Sequence, residues 1–156
     1  MLIQRILVPV DYSSCSRTAL GFAAELAQRF GATLDVVHVW DRPSYITDVV
    51  MSRNEPISGP ALFALIEQNA ERDLSEFLAS ADVAGGAATG RLLSGDPASA
   101  ILHDLNASKP DLLVVGTHGR TGLSHLLLGS VAEKLVRLAA VPVVTVPDQA
   151  AQHARR

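Results

Sequence analysis

The sequence is short of the features that announce most specialised proteins. It holds a single cysteine, Cys15, among 156 residues. An internal disulfide is thereby excluded, and the usage fits a reducing compartment. Aromatic residues amount to 4%, so a core has to come from Leu, Val, Ile and Ala, the mix of buried parallel strands covered by helices. There is no basic block beyond Arg155 and Arg156, and 13 basic against 16 acidic residues leave a formal charge of −3. Such a surface offers no broad footprint for nucleic-acid phosphates. No apolar run reaches the roughly 18 residues of a membrane-spanning helix. The opening Met1-Leu2-Ile3-Gln4-Arg5-Ile6 lacks the charged start and cleavage site of a secretory signal. The expectation is a cytoplasmic protein with neither nucleic acid nor membrane as partner. Two enzyme signatures are also missing: no Gly-x4-Gly-Lys-Ser/Thr and no Gly-x-Ser-x-Gly occurs. No general base, nucleophile and oxyanion site can be assembled, so no catalytic residue is assigned.

What is present is a run of alternating strands and helices. The length points to one domain, large enough to bury roughly two-thirds of its unfolded surface. Leu2–Val10 reads as a buried strand and Asp11-Tyr12-Ser13-Ser14 as a turn and helix-cap cluster. A helix is expected from about Ser16 to Phe30, stopped by Gly31. Thr33–Trp40 is the second strand. Residues 41–60 form a long connection with Pro43, Pro56, Pro60 and an apolar patch at Val49-Val50-Met51, with room for a short helical turn. A helix over 61–81 follows, then a turn at Gly85-Gly86 and a strand over 87–93 interrupted by Gly90. Asp96 caps the next helix, with Pro97 at its first position. Strand 111–116, helix 130–139 and strand 141–146 complete the chain. Strands separated by helices imply parallel pairing with right-handed crossovers. The domain spans 1–147, with 148–156 a frayed tail.

The densest chemistry lies after the fourth strand, in Gly116-Thr117-His118-Gly119-Arg120, running on to Gly129-Ser130 at the start of a helix. In a parallel sheet such a loop lies at the carboxyl edge, where ligands bind. Gly116 and Gly119 permit positive φ and close backbone approach. Amides freed by that geometry can face phosphate oxygens, and so can a helix N-terminus at Gly129 and Ser130. Two readings stand on these residues: a tight strand–helix turn, or a phosphate cradle.

The spacing Gly116-x2-Gly119-x9-Gly129-Ser130 resembles the nucleotide-binding pattern of the universal stress protein family. Ile6-Leu7-Val8-Pro9-Val10-Asp11, His38-Val39 and Val141-Pro142-Val143-Val144 are similar to other parts of that family. The resemblance implies an open five-stranded parallel sheet, order 3-2-1-4-5, with helices on both faces, a Rossmann-like fold of the adenine nucleotide alpha hydrolase type. It implies ATP between the first and fourth strands; Mg²⁺ or Mn²⁺ could accompany the phosphates, but the sequence shows no dedicated ligands for either. By carry-over, Pro9 and Val10 wall the adenosine, Asp11 meets the ribose and the Val39 backbone reads the adenine edge. Gly119 and Arg120 meet the phosphates, and Gly129, Ser130 and Val131 close the cradle. It implies a stress-response role; since no catalytic set can be assembled from the residues, any ATP hydrolysis is expected to be slow or incidental. It also implies a homodimer through Val141–Val146. Nucleotide binding is expected to order segments 41–60 and 117–128.

Other residues carry plainer readings. Asp11 alone could cap the first helix. His118 and His125 lack the companions of a zinc site. His38 reads as a core or rim histidine, and Cys15 as an unreactive thiol at a helix start.

Overall fold

The computed structural model describes residues 2–40, 49–52, 55–81, 83, 88–119 and 128–148. The expectations for Gly85-Gly86, Arg120, His125, most of the two long loops and the tail from 149 lie outside those residues.

The elements are β1 (Arg5–Val10), α1 (Ser14–Phe30), β2 (Thr33–Trp40), β3 (Val49–Ser52), β4 (Glu55–Ser58) and α2 (Gly59–Ser80). After them come β5 (Ala88–Ser94), α3 (Pro97–Ser108), β6 (Leu112–Gly116), α4 (Ser130–Leu138) and β7 (Val143–Val146). Five strands form one sheet in the order β5-β2-β1-β6-β7, parallel throughout. Counted within that sheet, the order is the expected 3-2-1-4-5.

The alternation of β1 divides the core. Ile6, Val8 and Val10 pack with Ala19, Leu20 and Ala23 of α1 and with Leu74 and Phe77 of α2. Leu7 faces the other way, with Ile101 and Leu105 of α3 and Ala132 and Leu135 of α4. Helices therefore cover both faces, which is why β1 and β6 read as near-continuous apolar runs. Each fully buried Leu or Val removes apolar surface worth about 1.5–3 kcal/mol.

Local signals set the helix ends. Ser13 accepts the Ser16 N–H into α1, and Gly31 closes that helix at φ 66°. Asp96 accepts both the N–H and the hydroxyl of Ser99, which lowers its pKa.

Two expectations need correcting. The segment before α2, expected as a long loop with room for a short helical turn, holds an antiparallel ribbon of β3 paired with β4. Pro56 disguised the second strand, since proline is foreign to central strands; a two-stranded ribbon has an outer edge that needs no donor. Gly90 does not interrupt β5 but sits within it opposite Val36. A Cβ there would lie 2.9 Å from Leu78 Cδ1 and 3.2 Å from Leu74 Cδ2, so the glycine lets α2 lie against the sheet.

A polar network ties the two strands on that side to β1 and α3. Asp35 Oδ2 accepts from Arg5 Nη2 at 2.7 Å, and Asp35 Oδ1 from Thr89 Oγ1 at 2.8 Å. Arg91 holds Asp104 with two parallel bonds of 2.8 and 2.9 Å. Burial pushes the Asp35 carboxyl pKa up, but the Thr89 and Arg5 hydrogen bonds and the charges of Arg5 and Arg91 outweigh it, leaving the value lowered. The ionised form thus favours folding above the ordinary carboxylate value, and that contribution fades as pH falls through the lowered native value. Asp35→Asn should cost about 2–3 kcal/mol at pH 7 in urea unfolding. The gap between variant and parent should narrow below about pH 4.

Candidate functional site at the carboxyl edge

β1 and β6 lie side by side. The chain leaves β1 for α1 on one face and leaves β6 for α4 on the other. A crevice opens where the two paths part, as expected at the switch point of an open parallel sheet. The space there is a cavity of about 410 Å³, within the range of small-molecule sites.

Nine of the ten site residues expected from sequence line this one cavity: Pro9, Val10, Asp11, Val39, Gly116, Gly119, Gly129, Ser130 and Val131. The tenth, Arg120, lies outside the described residues. Sequence reasoning did not reach several other lining residues. Val37, Ile101, Val115 and Ala132 form the apolar floor, Pro97 comes from the start of α3, and Ser16 comes from α1. Their apolar spacing reads as core, and only the meeting of β2, α3 and α4 makes them a floor.

The glycines act by contact rather than by φ. Among the described residues, positive φ at glycine occurs only at Gly31 and Gly95; of the two freedoms that Gly116 and Gly119 offer, the structure uses close approach. A Cβ at Gly116 would lie 2.9 Å from Cys15 Sγ and 3.1 Å from Cys15 O. At Gly119 it would lie 2.8 Å from Asp11 Oδ2, so the loop backbone rests on the carboxylate. At Gly129 it would meet Thr117 O at 3.2 Å, the same oxygen that accepts the Gly129 N–H at 2.7 Å.

Asp11 does not cap α1; Ser13 does. Asp11 Oδ1 instead accepts the Ser13 N–H at 3.1 Å and the Ser13 hydroxyl at 2.5 Å, which aims the carboxylate across the cavity mouth. Tyr12 follows at φ 67°, a costly conformation for a large side chain. Its ring stacks on His38 with centroids 4.2 Å apart, and His38 Nδ1 lies 2.8 Å from Val10 O, where it donates. His38 is thus a rim residue that braces the β1–α1 turn.

The helix starts differ. α1, α2 and α3 are capped by the side chains of Ser13, Ser58 and Asp96. α4 begins after Gly129, which has no side chain to offer. The amides of its first turn open on the cavity with the helix dipole behind them. Cys15 is buried and directs its Sγ at Val146 O, 3.5 Å away. His118 Nδ1 lies 2.9 Å from Thr117 Oγ1. Its Nε2 is shielded from solvent and has no hydrogen-bond partner among the described residues. Those residues contain no group of three His, Cys, Asp or Glu side chains arranged for a metal ion, and no helix long and apolar enough to cross a membrane.

The sequence profile of the universal stress protein family matches residues 2–147. The chain belongs to the universal stress protein family. A curated family member from Thermus aquaticus is 36% identical over 146 residues, covering 93% of this chain and 99% of the relative. One from Methanocaldococcus jannaschii is 32% identical over 145 residues, covering 93% and 82%. Among solved structures, a universal stress protein from Archaeoglobus fulgidus in complex with dAMP superposes with a TM-score of 0.64 at 25% identity, covering 94% of this chain and 99% of that one.

Two of the family's glycines should separate by experiment. Gly116→Ala forces a methyl against Cys15 and should lower unfolding stability by about 1–3 kcal/mol. Cys15→Ala in the same chain should restore part of that loss. Gly119→Ala displaces only an exposed turn and a carboxylate oxygen, and its urea midpoint should match the parent's.

Proposed function

We propose that this universal stress protein binds ATP in the crevice between β1 and β6 and signals by being occupied or empty, without catalytic turnover. The observation that carries the reading is the convergence of Gly119, Asp11 and the side-chain-free start of α4 on one cavity. A Cβ would fill the space at Gly119, and the amides at α4 are presented as an anion site. His118 lines the same cavity, and its Nε2 is shielded from solvent without a hydrogen-bond partner among the described residues. The dAMP complex of the Archaeoglobus fulgidus relative supports an adenine nucleoside as the ligand's other end.

In this reading Pro9 and Val10 wall the adenosine, the Val39 backbone meets the adenine edge and Asp11 meets the ribose. Gly119 and Arg120 meet the phosphates, with Gly129, Ser130 and Val131 closing the cradle; Gly116 lines the crevice where β6 passes Cys15. Mg²⁺ or Mn²⁺ would enter with the triphosphate and supply charge neutralisation to it. No residue is assigned to catalysis, and ADP forms slowly or not at all. The role is a stress-response one in the cytoplasm.

The same reading makes the protein a two-fold homodimer along β7. Pro142 O accepts from Leu113 N and Val146 O from Thr117 N, so alternate residues of β7 face β6. Val143 and Thr145 turn their backbone groups outward on the sheet edge, ready to pair with a second copy.

Calorimetric titration with ATP tests the ligand. One site per chain is expected, with Gly119→Val and Gly129→Val weakening it about tenfold or more at unchanged fold by circular dichroism. Absence of ATP binding by the parent overturns the reading, and steady ADP release in the same cell favours an ATPase. For the dimer, Thr145→Pro removes an outward N–H and leaves the β6 ladder intact. Light scattering should show the parent at twice the chain mass and the variant at one.

A further inference from the structure

An open groove of about 610 Å³ lies between α2 and β5, at the sheet edge opposite β7. It shares no lining residue with the β1–β6 crevice. Its floor is apolar: Leu74 is buried, and Leu78 and Leu92 are partly so. Gly90 is exposed there, so the β5 backbone itself forms part of the wall. A bare glycine in a strand is a place where another backbone can approach closely. β5 ends its sheet, and among the described residues no strand pairs with its outer side. A strand so placed offers a row of N–H and C=O groups for pairing.

The charge along the groove is one-sided. The stripe of α2 that faces it passes from Leu78 and Leu74 to Glu71 and Glu67 at one-turn spacing. Both glutamates are exposed, and neither has an ion-pair partner among the described residues. Arg72, beside Glu71 in sequence, pairs with Asp73 and Glu76 instead, each at 3.6 Å. Arg91 also borders the groove, but its guanidinium gives two parallel bonds to Asp104 and lies 4.0 Å from Asp35, so its charge is already balanced. Two carboxylates one turn apart repel each other, and two cations at matching spacing relieve them. Helix residues four apart are separated by about 6 Å along the axis, and alternate residues of a strand by about 6.6 Å. α2 is the crossover helix into β5, so it runs back along that strand. A chain extended along the β5 edge therefore presents every second side chain to α2 at the spacing of Glu67 and Glu71.

We propose that this groove binds an extended basic peptide. The peptide adds to the outer side of β5 as a further strand. Two of its lysine or arginine side chains, two residues apart, meet Glu67 and Glu71, and the apolar side chains next in the same alternation lie over Leu74 and Leu78. A second copy of the chain is a poorer occupant, because β5 against β5 with both α2 helices on one face sets four carboxylates together.

The test measures fluorescence anisotropy with two labelled octapeptides, Thr-Lys-Thr-Lys-Thr-Val-Thr-Val and its reversed sequence, since an added strand can run either way. The parent should bind at least one of them saturably, and more weakly as salt is raised. Glutamate in place of both lysines, or N-methylation of alternate peptide amides, should weaken binding about tenfold or more. The double variant Glu67→Gln, Glu71→Gln should weaken it to a similar degree at an unchanged urea midpoint. Failure of both peptides to bind, or equal affinity of parent and double variant, overturns the proposal. Equal binding of the N-methylated peptide overturns strand addition. A change of chain mass in the double variant by light scattering assigns the groove to a second copy and overturns the peptide as its occupant.

Discussion

β1 and β6 are neighbours in the sheet, yet the helices that follow them pack on opposite faces. Everything at the carboxyl edge depends on that divergence. Two chains that part leave a gap which neither strand can fill, and the gap is lined by the strand ends and helix starts the crossovers deliver there. Pro9, Val10 and Asp11 arrive from β1, Gly116 from β6, and Gly129 to Ala132 from α4. The apolar floor comes from the strands and helices that stack beneath it. A different sheet order would disperse the same side chains.

Within the crevice, the constraint that shapes the end nearest Gly119 is close approach. Gly119 lies against Asp11 Oδ2, and Gly116 lies against Cys15. The first contact brings loop and carboxylate together at the mouth; the second lets β6 pass under the first turn of α1. Asp11 is in turn fixed by Ser13, and the Tyr12 ring holds its unfavourable backbone by stacking on His38. The stack is worth about 1 kcal/mol, comparable with the conformational cost at Tyr12. The turn is thus held by contacts of its own, and a ligand entering the crevice would have less of it to order.

Much of this was legible in the residues. Apolar runs at 6–10, 34–39 and 112–115 named the buried strands, and Ser13, Gly31, Asp96 and Pro97 marked helix ends by chemistry that acts within a few residues. Gly116, Gly119, Gly129 and Asp11 stood out because glycine clusters and a carboxylate at a strand end are locally conspicuous. What stayed hidden depends on distant partners. Ile101 and Val37 look like any core residue until α3 crosses β2. Asp35, on a buried strand, gave no sign of Arg5 and Thr89 on either side. Gly90 read as a strand breaker because nothing nearby tells of Leu74 and Leu78 on α2. The β3–β4 ribbon was masked by Pro56, whose exclusion from strands holds for central strands and not for a ribbon.

The central claim is that backbone amides at Gly119 and at the start of α4 face a bound triphosphate beside Asp11. Amide chemical-shift mapping by nuclear magnetic resonance during an ATP titration reads those atoms directly. The account predicts large, saturable shifts at Gly119, Gly129, Ser130 and Val131, with Arg91 and Leu92 on the far edge strand unmoved. Shifts spread evenly over the surface, or confined to residues away from β1, β6 and α4, would contradict it.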